Sequence, residues 1–225
     1  MKYPIYFKKL MSLYRVLYFL VLIYKFMMDV NTLEELFQKQ TMNMDGYSKQ
    51  IKGQVDFLKT SVQNPLIENV MEIGFNGGHS SELFLETNSN IHVTSFDICG
   101  YNCVRVGKNF IDKKFPGRHT LIKGNSLESV PEYASKTNIK FDVIFIDGGH
   151  AYDVVKGDIM NCKALANKDT LVILDDTVAD TTLVKHWNNG PNQAWLEAKT
   201  WNIISEIGHS DFELGRGQSW GKYIF

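Results

Sequence analysis

Val70-Met71-Glu72-Ile73-Gly74-Phe75-Asn76-Gly77-Gly78-His79-Ser80 begins as a short apolar run and then places three glycines within five residues. Apolar residues up to Gly74 predict a buried strand, and residues 78–86 predict a helix. Glycine between the two permits a tight turn and lets a ligand approach the backbone closely. The dinucleotide pattern G-x-G-x-x-G is absent, because position 76 is Asn. Glu72, two residues before the first glycine, is a poor neighbour for a pyrophosphate and suits a ligand that carries an ammonium group. A plain tight turn is the bland alternative for this loop.

Downstream the alternation continues. Strands are expected over residues 91–97, 119–124, 141–147 and 170–176, with helices over 104–115, 127–135, 152–166 and 183–199. Short apolar strands alternating with helices mean a parallel sheet covered on both faces, an α/β fold. The end of the chain differs. Residues 201–207 and 220–225 read as two strands joined by a Gly-rich polar stretch, an antiparallel pair. Upstream, a helix starts after Asp29 or Asn31 as cap, and a second covers residues 47–62 and stops before Asn64-Pro65. The expected organisation is a basic, apolar segment over 1–28, helices over 29–66 and the α/β domain over 67–225.

Composition limits the function classes. The 225 residues are 44% hydrophobic and 22% charged, with a formal net charge of -1, enough apolar material for one core. No basic excess is present to grip a polyanion, so nucleic acid is not an expected partner. Cys99, Cys103 and Cys162 are odd in number and form no CxxC, which fits a reducing, cytoplasmic setting. The first 28 residues carry Lys2, Lys8, Lys9, Arg15 and Lys25 with no acid, around the apolar run 16–24. That run is shorter than the roughly 20 residues of a spanning helix, and no small-residue cleavage site follows it. It reads either as a weak membrane-surface contact or as sequence outside the folded protein.

In open α/β sheets ligands sit at the carboxyl ends of the strands. Those ends here hold Glu72 with the glycine turn, then Asp97, then Gly124-Asn125-Ser126, then Asp147, then Asp175-Asp176. A carboxylate at the end of the second strand can accept both ribose hydroxyls of an adenosine, and Asn125 and Ser126 are placed to reach an adenine edge. Asp147, Asp175 and Asp176 close neighbouring strands, and carboxylates brought so close repel one another, for which a bound hard cation is the usual remedy. Alternatively, Asp175 and Asp176 merely cap a turn and His150 caps the helix that begins at Ala151.

The E-I-G-x-x-x-G-x-S run from Glu72 to Ser80 resembles the first motif of class I methyltransferases, in the form found in catechol, sugar and macrolide O-methyltransferases. The runs Phe141–His150 and Leu171–Thr177 resemble the same group, and the likeness extends from about Tyr47 to Phe225. The resemblance implies a Rossmann-like sandwich with a seven-stranded, mostly parallel sheet and a C-terminal antiparallel hairpin. It implies S-adenosylmethionine as cofactor, bound by Glu72, Gly74, Phe75, Asn76, Gly78, Ser80, Asp97, Asn125, Ser126 and Asp147. It further implies Mg²⁺ on Asp147, Asp175 and Asp176, with Asp147 and His150 in catalysis. His150, at the Asp-x-x-His spacing of sugar-methylating relatives, becomes the candidate base for a small-molecule or sugar hydroxyl. Asn125 departs from the Asp of many relatives, and Lys156 lies too far along its helix to match the lysine of the catechol group. Such relatives often form homo-oligomers through N-terminal helices.

Two other readings stand beside this one. A catalytically inactive methyltransferase-like binding module is opposed by the intact acidic trio, and a nucleotide-dependent oxidoreductase is opposed by Glu72 and the hairpin. Gly217-Gln218-Ser219-Trp220-Gly221 matches the nucleophile elbow G-x-S-x-G, but no acid or histidine follows Ser219, so it is read as chance.

Overall fold

The computed structural model describes residues 14–18, 30–40 and 48–225. Of the basic segment 1–28 only residues 14–18, which are helical, are described; the surface-contact expectation otherwise lies outside the described residues. Among the described residues no helix is long and apolar enough to cross a membrane. The chain divides into two compact units, Met1–Asn43 and Met44–Phe225. The first contains helix α1 (Leu33–Lys39), whose cap is Thr32: its hydroxyl accepts the Glu35 N–H at 3.2 Å.

The second unit is built on a seven-stranded sheet of order β3-β2-β1-β4-β5-β7-β6. Its strands are β1 (Asn69–Ile73), β2 (His92–Asp97), β3 (His119–Lys123), β4 (Val143–Ile146), β5 (Leu171–Asp175), β6 (Ile204–Asp211) and β7 (Gly217–Tyr223). The first five run parallel, and β7 pairs antiparallel with both β5 and β6. All four residues of β4 are buried, as expected of a central parallel strand covered on both faces. The helices are α2 (Lys52–Val62), α3 (His79–Thr87), α4 (Asn102–Lys114), α5 (Ser126–Lys136), α6 (Tyr152–Cys162) and α7 (Asn189–Thr200).

Side chains alternate across the sheet, so each strand feeds two cores. Ile73, Ile146 and Leu174 face one way, into a cluster with Val130 of α5, Val155 and Ile159 of α6 and Trp195 of α7. Each large side chain buried there contributes about 2 kcal/mol. Glu72 and Phe145 face the other way, where Ser80, Ser81 and Phe84 of α3 meet them. Strand order reverses between β1 and β4, so the carboxyl ends of the parallel strands, where Asp97, Asp147 and Asp175 stand, flank the position at which open α/β sheets bind ligands.

Two boundaries differ from expectation and both shape that edge. The helix expected from residue 183 begins at Asn189, because residues 181–183 form a 3-10 turn capped by Asp180. The Asn188 side chain then fixes the loop, accepting from the Lys185 N–H at 2.8 Å and donating to the carbonyls of Leu183 and Gly215. Pro191 sits in the first turn of α7, where its missing N–H costs nothing. The hairpin strands lie nearer to each other in sequence than expected, over 204–211 and 217–223, because the polar residues of the supposed connection pair as strand.

Candidate functional site

The glycine turn is shaped by close approach. Gly74 has φ +93°, and a Cβ there would stand 1.9 Å from the Asp147 carbonyl oxygen, so the first and fourth strand ends meet backbone to backbone. Two residues on, Asn76 is left-handed at φ 47°, and its N–H donates to Asp97 Oδ2 at 2.9 Å. The Cys99 N–H donates to the other Asp97 oxygen at 2.6 Å. Asp97 is thus fixed by backbone amides on either side, and a carboxylate oxygen holding one such bond can still accept another.

Three expected donor contacts face inward instead. Glu72 is fully buried and accepts hydroxyls from Ser80, Ser81 and Ser95, the last two at 2.6 Å. Burial pushes its pKa up, and the three serines pull it back only partly. Its carboxylate ties β1, α3 and β2 together rather than presenting itself to a ligand's ammonium group, which corrects the expectation for Glu72 and Ser80. His119 completes this buried network through Ser95 at 2.9 Å, and burial lowers its pKa to about 3. Phe75 is 1% exposed and packs against His119 with ring centroids 4.9 Å apart, so it braces the turn from below. Asn125 is exposed and caps α5 by accepting the Leu127 N–H, while Ser126 opens that helix, partly exposed.

Across the crevice, Asp147, His150 and Asp176 each offer a ligand atom, and these atoms lie within 4.8 Å of one another. Asp176 is 1% exposed and left-handed at φ 57°. Its Oδ1 accepts from Arg216 at 2.7 Å, and its Oδ2 lies 3.0 Å from His150 Nε2. Asp176 holds the His150 imidazole above its usual pKa, with burial opposing. Burial, followed by the charges of Asp175 and Asp176, pushes the Asp147 carboxyl well up.

Asp175 does not join the converging group, contrary to the expected trio. Gln54 of α2 donates to both its oxygens, and Gln218 of β7 donates to Oδ1 at 2.8 Å. The cause is strand alternation: Asp175 ends β5 in register, whereas Asp176 has already left the strand with a left-handed backbone. Burial and Asp176 push the Asp175 carboxyl up to about 7. Lys156 is also away from the cluster, paired with Glu197 and set 4.4 Å from the Trp201 ring centroid.

The sequence reading missed Gln54, Gln218, Trp187 and Arg216. A usable signal was Gly215-Arg216-Gly217, two glycines around one cation. A Cβ on Gly217 would stand 2.1 Å from the Thr177 carbonyl, so the hairpin lies directly on the loop after β5. The elbow-like Ser219 does meet a histidine and an acid, in a chain Thr177–Ser219–His209–Asp211 with links of 2.9, 2.8 and 2.5 Å. Ser219 is 2% exposed, however, and Asp211 goes on to accept the amides of Ala179 and Asp180. This chain fastens the loop behind Asp176; it presents no nucleophile.

Residues 71–177 match a family described as a methyltransferase domain. The chain has the class I methyltransferase fold. Among solved structures of this methyltransferase fold, an O-methyltransferase from Bacillus cereus in complex with S-adenosylhomocysteine is 18% identical, with a TM-score of 0.68 over 84% of this chain and 90% of that one. A methyltransferase from Podospora anserina, bound to the same ligand, is 15% identical, with a TM-score of 0.67 over 86% and 88%. An apo TDP-rhamnose 3'-O-methyltransferase of calicheamicin biosynthesis is 18% identical, with a TM-score of 0.56 over 75% and 76%. No curated protein matches the sequence.

Proposed function

We propose that this chain transfers a methyl group from S-adenosylmethionine to an oxygen of a small-molecule or sugar acceptor, with a divalent cation at the Asp147–Asp176 pair. The observation that carries the reading is the meeting, at one edge of the sheet, of an amide-braced Asp97 with the converging Asp147, His150 and Asp176. On the donor side, Asp97 takes the ribose hydroxyls and the left-handed turn at Gly74 and Asn76 receives the rest of the donor. The neighbours bound to S-adenosylhomocysteine support that half of the reading.

The residues present fit a small hard cation. The carboxylates of Asp147 and Asp176 converge with the His150 imidazole within 4.8 Å, and Asp176 Oδ2, buried in the site, lies 3.0 Å from His150 Nε2. Mg²⁺ needs only one or two protein carboxylates, with waters and substrate oxygens filling its remaining positions. Bound there, the cation would lower the pKa of an acceptor hydroxyl. His150 accepts that hydroxyl's proton at Nε2, and neighbouring Asp176 stabilises the imidazolium that results. Trp187, whose ring centroid is 6.3 Å from that of His150, forms a flat wall against which a sugar or aromatic acceptor can lie.

Calorimetric titration with S-adenosylhomocysteine, with and without Mg²⁺, tests the donor half. Mass detection of methyl transfer to a panel of catechols and sugars tests the acceptor half. Absence of donor binding by folded protein overturns the reading in favour of a methyltransferase-like binding module.

A further inference from the structure

Arg216 is delivered to the carboxylate cluster by unusually constrained backbone. It stands one residue before β7, between Gly215 at φ +74° and Gly217, whose backbone rests on Thr177. The Thr177 N–H donates to the Gly217 carbonyl, and Asn188 donates to the Gly215 carbonyl at 3.0 Å. The side chain is held as firmly. Nη1 donates to Asp176 Oδ1 at 2.7 Å, and the guanidinium carbon lies 4.6 Å from the Trp187 ring centroid. A flat guanidinium is suited to gripping a carboxylate with its edge while stacking its face on an indole.

Three carboxylates therefore gather at this edge, and Arg216 is the fixed cation that reaches one of them. Asp175 is satisfied by neutral amides from Gln54 and Gln218. His150 can add a charge only by protonation, so among the described residues Arg216 is the permanent charge paired with Asp176. Resting on the cation reading of the preceding subsection, we infer that Arg216 is a built-in counter-ion which competes with the divalent cation for Asp176 and so sets the affinity of the site. A cation held by Oδ2 would share the Asp176 carboxylate with the guanidinium on Oδ1 and so weaken its hold. Stacked on Trp187, the guanidinium stays beside the carboxylate pair. A divalent ion arriving at Asp147 and Asp176 meets a like charge already in place, and like charges that share a site disfavour one another.

The test is Mn²⁺ titration of the full chain by calorimetry and by electron paramagnetic resonance, for the native protein, Arg216→Gln and Arg216→Lys. Arg216→Gln is expected to bind Mn²⁺ about tenfold or more tightly than the native protein, because the competing charge is gone. Arg216→Lys, which keeps the charge but loses the fork and the flat face, is expected to fall between them. Circular dichroism melts establish that each variant is folded, and Arg216→Lys carries the comparison should Arg216→Gln unfold. Equal or weaker binding in the variants overturns the counter-ion role while leaving the cation site standing. No Mn²⁺ binding by any of the three overturns that role and the cation part of the proposed function together.

Discussion

Gln54 donates to both carboxylate oxygens of Asp175, at 2.8 and 2.9 Å, and so holds it apart from its chain neighbour Asp176. Two adjacent acids thereby take different work: Asp175 ties α2 to the sheet, and Asp176 faces the crevice with His150 and Arg216. This division separates their variants. Asp147→Asn and Asp176→Asn are each expected to abolish Mn²⁺ binding, whereas Asp175→Asn reduces it by no more than about fivefold. Calorimetry on the three purified variants checks this, and equal loss in all three would return Asp175 to the cation site.

Asp97→Ala is expected to weaken S-adenosylhomocysteine binding by about a hundredfold while leaving the far-ultraviolet dichroism unchanged. It removes an acceptor to which charge-assisted bonds from ribose hydroxyls are assigned, and it frees the turn whose Asn76 N–H that acceptor holds. Unchanged affinity would remove Asp97 from the donor site.

Gly74→Ala places a methyl 1.9 Å from a backbone oxygen at a φ that L-residues rarely adopt. A destabilisation of about 2 kcal/mol or more is expected, with loss of donor binding, because the turn cannot keep its close contact with Asp147. Thermal melts and the donor titration read both effects.

The pH dependence of stability has one clear contributor in Asp158. It is fully buried in α6, neither oxygen accepts a hydrogen bond of ordinary geometry, and burial raises its pKa from 3.8 to about 6. The folded state therefore binds a proton more tightly than the unfolded chain. The stabilising contribution is fully present below about pH 3.8 and is lost as pH rises through about 6. Asp158→Asn mimics the neutral form. Its melting temperature is expected to exceed that of the native protein at pH 8, by a free energy on the order of 2 kcal/mol. The gap should narrow as pH falls through 6 and close near 4. A gap independent of pH would show that the Asp158 carboxyl titrates alike in the folded and the unfolded chain.

His150→Gln is expected to lower the methyl-transfer rate by about a hundredfold while sparing donor affinity. In the native protein the rate should rise with pH through a midpoint above 6.5, since Asp176 raises the histidine's pKa and only the neutral imidazole can accept a proton. A flat profile across that range would remove His150 from proton transfer.

The donor half of the crevice was legible because its parts are close in sequence. Strand, glycine turn and Asp97 lie within residues 70–97, and their spacing alone implies the turn. The inward aim of Glu72 was not legible, because it depends on Ser81 and Ser95, ordinary residues that become informative only once α3 and β2 flank the strand. The acceptor half was half-legible. Asp147, His150 and Asp176 announced themselves as strand-end residues, but the departure of Asp175 depends on Gln54, 121 residues away, and on a left-handed backbone at Asp176. Arg216 was hidden in a polar stretch that looked like a connection. The polarity of residues 208–219 misled because many of those groups are satisfied inside the protein, along the chain from Thr177 to Asp211.

The antiparallel placement of β7 has a consequence for the order in which the crevice is completed. Everything assigned to the donor in the proposed function lies on contiguous βα units, which can assemble from neighbouring segments. The cluster of Asp147, His150 and Asp176 meets Arg216 only when the terminal hairpin inserts beside β5, a strongly non-local event. A folding intermediate lacking that last insertion would already hold the proposed donor turn around Asp97 and yet have no counter-charge for its acids. On the proposed function, competence to bind would precede competence to react.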